Sequence, residues 1–143
     1  MGPRLTNGGF LEYVERFTGS VLAMAPTDLT GVPADIMHYH MPFDAELTGW
    51  FVVVTTLLAC ETIQPVVTID VADWDMVTNR VQADTYTVPD LSPVGFCVVD
   101  TLAAPVTVLR GRTIVTEHLT AGTGAGAAGA ACVFPIWRAT GNP

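Results

Sequence analysis

The 143-residue chain contains no lysine, and its six cationic side chains are all arginines: Arg4, Arg16, Arg80, Arg110, Arg112 and Arg138. Schiff-base catalysis and a P-loop lysine are therefore excluded. Charge of either sign is scarce, at 14% of residues, and the net balance is −8. No basic cluster exceeds Arg110-Gly111-Arg112, so no nucleic-acid partner is expected. Serine is nearly missing, and neither Ser20 nor Ser92 sits in a GxSxG elbow. The three cysteines, Cys60, Cys97 and Cys132, are an odd, widely spaced set in LLACE, GFCVV and AACVF, and nothing resembles CxxC. They are expected to be buried free thiols. No basic-then-apolar leader stands at the start, and the longest apolar runs fall short of a membrane span. The expectation is synthesis in a reducing cytoplasm with no membrane partner.

What the chain has in quantity is apolar surface: half of its residues are hydrophobic. Its length allows one domain with a sizeable core and no need of disulfides. With so little charge, part of the surface must itself be apolar, a composition that often accompanies subunit contact.

The organising stretch is Ile36 to Thr56, IMHYHMPFDAELTGWFVVVTT. Side chains alternate across a strand, so Ile36, His38 and His40 share one face and Met37, Tyr39 and Met41 the other. Pro42 interrupts the ladder, after which Phe43, Ala45 and Leu47 are expected inside and Asp44, Glu46 and Thr48 outside. Gly49 breaks that pattern. The run from Trp50 to Val54 reads as a strand buried on both faces.

Before this stretch, residues 1 to 9 read as irregular, and Phe10, Val14, Phe17 and Val21 fall on one face of a short helix or of an extended arm. Ala25 to Ala34 reads as a loop. After it, strands are expected over Val67 to Val71, Arg80 to Val88, Phe96 to Val99, Val106 to Leu109, Thr113 to Leu119 and Ala131 to Trp137. A break is expected at Asp100 to Pro105, and the loop TAGTGAGAAG has almost no side chain to pack. Short strands with frequent turn signals predict an all-β fold, an antiparallel β-sandwich or jelly roll over residues 36–143, preceded by an N-terminal arm or short helix and loop over residues 1–35.

Three constellations bear on chemistry. His38 and His40 on one strand face would hold zinc or iron if Glu46 and His118 converged on them. The cupin family has a related pattern, but six residues separate Gly31 from His38 and five separate His40 from Glu46, both longer than in that pattern. Asp70, Asp73 and Asp75 near Asn79 lack calcium-loop spacing and read as a solvated acidic turn. Gly122 to Gly129 lacks the GK[ST] of a phosphate loop. No catalytic residue, metal or cofactor is expected, and the chain does not read as an enzyme.

The order HYHMPFDAELTGWFVVV, PVVTIDV, VLRGRTIVTEHLTAGTGAG and AACVFPI, covering residues 36 to 137, resembles small β-sandwich virion proteins of tailed bacteriophages, the capsid decoration (cement) proteins and head-fibre modules. The resemblance implies a structural virion protein on the outer capsid surface that binds the major capsid protein, stiffens the head and associates with itself as a homotrimer. In that setting Phe10, Tyr13 and Phe17 are the expected oligomer or capsid contacts, as an arm on a neighbour. The alternatives are a cupin-like metalloenzyme using the His38/His40 pair, and a carbohydrate-binding or host-attachment module.

Overall fold

The alternating segments form eight strands in the computed structural model, which describes residues 25–141. They are β1 (Thr27–Asp28), β2 (Ala34–His40), β3 (Ala45–Ala59), β4 (Val66–Ala72), β5 (Val81–Thr87), β6 (Cys97–Val108), β7 (Thr113–Thr120) and β8 (Ala128–Ala139). All pairings are antiparallel, in two four-stranded sheets ordered β1-β8-β3-β6 and β2-β7-β4-β5. The fold is thus the all-β sandwich that the sequence pattern predicts. The arm or helix, with Phe10, Tyr13 and Phe17, lies outside the described residues. Within the stretch read as a loop, Thr27 and Asp28 pair with Ala131 and Ala130 as a short edge strand.

Between the sheets the core is built from alternate residues of each strand. Tyr39 comes from β2, Val67, Ile69 and Val71 from β4, Ile114 from β7, and Ala131 and Val133 from β8. On β3 the inward residues are Ala45 and Leu47, then Trp50, Val52, Val54 and Leu58. The parity changes from odd to even because the register slips between Leu47 and Gly49. A one-residue slip turns the following side chains to the opposite face.

That slip also corrects two expectations. The run Trp50 to Val54 is buried on one face only, since Phe51 and Val53 project from the outer face and are half-buried. The break at Asp100 to Pro105 does not end a strand, and β6 runs through it as a bulge. Gly49 pairs with Thr101 and Leu47 with Val106, so residues 102–105 bulge from the ladder. Pro105, with no N–H to give, falls inside it. At Gly49 a Cβ would stand 2.5 Å from the Asp100 carbonyl oxygen, so only glycine lets the bulged strand approach.

The glycine-rich loop is likewise packed rather than free of contacts. A Cβ on Gly122 would collide with the Cys60 thiol. Of the cysteines, Cys60 and Cys132 are buried as expected, but Cys97 is exposed on the edge strand β6.

Candidate functional site

The structure separates the residues of the metal hypothesis. His38 and His40 do share a face, the outer face of the β2-β7-β4-β5 sheet, opposite Val115 and Thr113 of β7. The His38 Nε2 lies 3.1 Å from Asp35 Oδ2, and the His40 Nδ1 lies 2.7 Å from the Thr113 hydroxyl. Glu46 belongs to the other sheet, where it accepts hydrogen bonds of 2.8 and 2.6 Å from Arg138. His118 points into the core opposite Val67 and donates from Nε2 to the Thr120 carbonyl at 2.9 Å. Among the described residues its Nδ1 has no partner. Among the described residues no three His, Cys, Asp or Glu side chains gather around a point where a metal ion could sit.

The polar face near His38 is organised by Arg80 instead. Its Nε donates to Asp70 at 2.7 Å, and its Nη2 donates to Asp35 at 2.8 Å and to Glu117 at 2.9 Å. Its Nη1 reaches the Met76 carbonyl at 3.2 Å. One guanidinium therefore ties β2, β4 and β7 to the β4–β5 turn, a task its planar fork of donors suits. Its hydrogen bonds to Asp35, and then to Asp70, outweigh desolvation and raise its pKa further. For Asp35, desolvation pushes the carboxyl up, but the bonds from Arg80 and His38 prevail and hold it below the usual range.

The acidic turn proves structural, and Asp70 departs from its expected solvation, being buried beneath Arg80. Asp75 accepts from the Val77 and Thr78 amides at 3.0 and 2.8 Å, and Asp73 holds Asn79 and Arg112. Burial also claims Trp50, while Trp137 is half-buried against Phe43 with ring centroids 5.7 Å apart. Trp74 alone stands in solvent.

One group of exposed aliphatic side chains lies at the end of the sandwich formed by the β3–β4, β5–β6 and β7–β8 connections. The Leu91 amide donates to the Leu58 carbonyl at 3.0 Å and the Leu58 amide to the Ser92 carbonyl at 3.1 Å. The Cys60 amide donates to Asp90 at 2.8 Å, and Ile63 bridges to Thr123. On this braced frame Leu91 and Val94 are 69% and 66% exposed, with Leu57 and Ile63 also exposed. Leu91 holds a left-handed backbone, φ 62°, which a bulky side chain adopts only at a cost. Its aliphatic side chain is thus held out in water by the turn. The sequence reading missed these residues, and the signal was present: Pro89-Asp90-Leu91-Ser92-Pro93 places a large apolar residue amid turn formers.

A second feature lies at the open edge between β5 and β6. Asp84 and Asp100 both line an open cleft of about 360 Å³, together with Ala83, Thr101, Leu102 and Ala104. Desolvation, and then the neighbouring Asp84 carboxylate, raise the Asp100 pKa. Neither a hydroxyl nucleophile nor a base joins them within hydrogen-bonding reach in the described network, where Asp84 accepts instead from Trp50 and Thr85.

No protein family, curated protein or solved structure matches this chain.

Proposed function

We propose that the protein is a structural virion protein, a capsid decoration protein that sits on the outer surface of a tailed-phage head. It acts as a homotrimer and meets the major capsid protein through the loop end of the sandwich. The observation that carries this reading is the row of exposed aliphatic side chains at that end, Leu57, Ile63, Leu91 and Val94, on a backbone tied by inter-loop hydrogen bonds. Apolar side chains held rigidly in solvent lose little entropy when they are covered, which favours binding to a protein surface. The acidic balance and the absence of lysine support an outward role that does not engage packaged DNA.

The test is the solution mass by light scattering at several concentrations with chelator present, followed by co-sedimentation with expanded, DNA-free heads. A chelator-resistant trimer that sediments with the heads is expected. A monomer at all concentrations that stays in the supernatant overturns the reading. An assembly that dissociates on chelation returns attention to the His38 and His40 pair.

A further inference from the structure

β6 closes one side of its sheet, and its outer edge carries a flat stretch of unpaired backbone among the described strands. The Val54 amide donates to the Phe96 carbonyl at 2.9 Å and the Gly95 amide to the Val54 carbonyl at 2.8 Å, a bulge at Gly95, φ 87°, from which the pairing of β6 with β3 begins. Bonded and non-bonded pairs alternate along an antiparallel ladder. Val98 and Asp100 therefore bond to Val52 and Trp50, while Cys97, Val99 and Thr101 turn their N–H and C=O groups away from β3. All three residues are exposed, Val99 by 64%. The stretch ends where residues 102–105 bulge, so Val99 is the midpoint of Cys97 to Thr101.

Open edges are ordinarily guarded by a bulge, a charge or a proline. The other edges follow this rule: β2 is broken between Asp35 and Met37, β5 is broken where the register skips Ala83, and β8 beyond the two residues paired with β1 contains Pro135 and Arg138. From Cys97 to Thr101 the one such residue is Asp100. It lies opposite Trp50, on the inner side of the sheet, and lines the cleft shared with Asp84. The backbone edge itself is left unguarded.

We propose that this edge is a self-association site, where two copies pair antiparallel through Cys97 to Thr101 about a twofold axis at Val99 and continue the β1-β8-β3-β6 sheet from one molecule into the other. A second copy fits because the outward groups are their own complement. With the axis at Val99, Val99 bonds its counterpart and Cys97 of each copy bonds Thr101 of the other, which uses every outward donor and acceptor of the stretch; an axis one or two residues away leaves some unpaired. Val98 then lies opposite Asp100 of the other copy, and the two Asp100 carboxylates are diagonal neighbours about 7–8 Å apart. Their like charge makes Asp100 the residue that limits the contact. Antiparallel pairing turns the two loop ends in opposite directions, so this site is separate from the proposed capsid contact, and a chain that binds no head still carries it.

The full-length Thr101→Cys variant tests the register. Within one strand Cys97 and position 101 stand about 13 Å apart, beyond disulfide reach, so a bond between them joins two molecules. Paired across the axis, their Cα atoms are about 5.5 Å apart, within reach. After mild oxidation a two-chain species is expected on a non-reducing denaturing gel, with Cys97 linked to position 101 in its peptide map, whatever the assembly before denaturation. Thr107→Cys, exposed on β6 beyond the bulge, should link about tenfold less. Adding Val99→Lys to Thr101→Cys should cut the yield about tenfold, and adding Asp100→Asn should raise it about threefold. Should Val99→Lys fail to fold by circular dichroism, Thr101→Lys alone decides by sedimentation velocity, where self-association should weaken about tenfold relative to the wild type. Equal linking at positions 101 and 107, Cys97 joined chiefly to Cys97, or a yield that folded Val99→Lys leaves unchanged overturns the proposal. The absence of any two-chain species overturns it as well, whether or not the protein forms trimers or binds heads.

Discussion

The indole Nε1 of Trp50 donates to Asp84 Oδ2 at 2.8 Å, joining β3 of one sheet to β5 of the other across the open edge of the sandwich. Trp50 is otherwise wholly buried, so its one polar atom finds its partner at the core boundary. Trp50→Phe keeps an aromatic ring but removes the donor and part of the volume. A loss of about 2–3 kcal/mol in urea unfolding is expected, combining a charge-assisted hydrogen bond with a small cavity. Asp84→Asn should cost less, since the amide oxygen still accepts.

Asp100 faces the same edge and carries the opposite pH signature from most carboxylates. Its folded pKa lies above the unfolded value, so its contribution to stability is fully present below the unfolded pKa and is lost as pH rises through the folded one. Asp100→Asn should therefore be more stable than the wild type at pH 7, with the difference shrinking as pH falls toward about 4. Urea midpoints at several pH values check this. A difference that grows on acidification would contradict the upward shift of Asp100.

Arg80 offers the clearest single point of failure in the other sheet. Its removal leaves Asp35, Asp70 and Glu117 without their shared cation, and Asp70 is buried with Oδ1 already unpaired. Arg80→Met is expected to destabilise by about 2–4 kcal/mol, below the range for fully buried pairs because the group keeps some solvent. Arg80→Lys should recover only part of this, as one ammonium cannot span the fork. Asp35, whose folded pKa is depressed, contributes stability above its unfolded pKa that is lost as pH falls through the folded one. The acid-side slope should flatten in Arg80→Met.

The sandwich was legible because period-two alternation is a local property, and the inward sets Val67, Ile69 and Val71 of β4 and Phe43, Ala45 and Leu47 at the start of β3 follow it. The misread parts depend on partners distant in sequence. Gly49 read only as a break in the alternation, yet it is the glycine that lets β6 pass closely, a role fixed only by Asp100 and Thr101. The two-sided burial read for Trp50 to Val54 failed because apolar sequence alone cannot tell a core face from an apolar outer face. His118 and Glu46 alternate plausibly, but only the pairing of β7 with β4 and of β3 with β8 reveals that they point to different regions. The apolar loop end was hidden for a related reason: exposure of Leu91 and Val94 follows from loop bracing, which no periodicity encodes.

Leu91 allows stability and assembly to be separated. Its left-handed backbone costs a leucine about 1 kcal/mol or more, and a glycine there is free of that cost. The side chain is exposed, so its removal forfeits little burial in the isolated chain. Leu91→Gly is therefore expected to leave the unfolding free energy unchanged or raised by about 0.5–1 kcal/mol, strain relief being partly offset by a more flexible unfolded chain. The same substitution removes an aliphatic contact from the proposed docking end, so the affinity for heads should fall by about tenfold or more, the effect of losing roughly 1.4 kcal/mol of interface. Leu91→Asn, tolerant of the same backbone, should repeat the assembly defect. If both variants fold at least as well as the wild type and assemble equally well, the loop end is not the contact surface; a loss of assembly that merely tracks a loss of folding would point to the turn and not to the side chain.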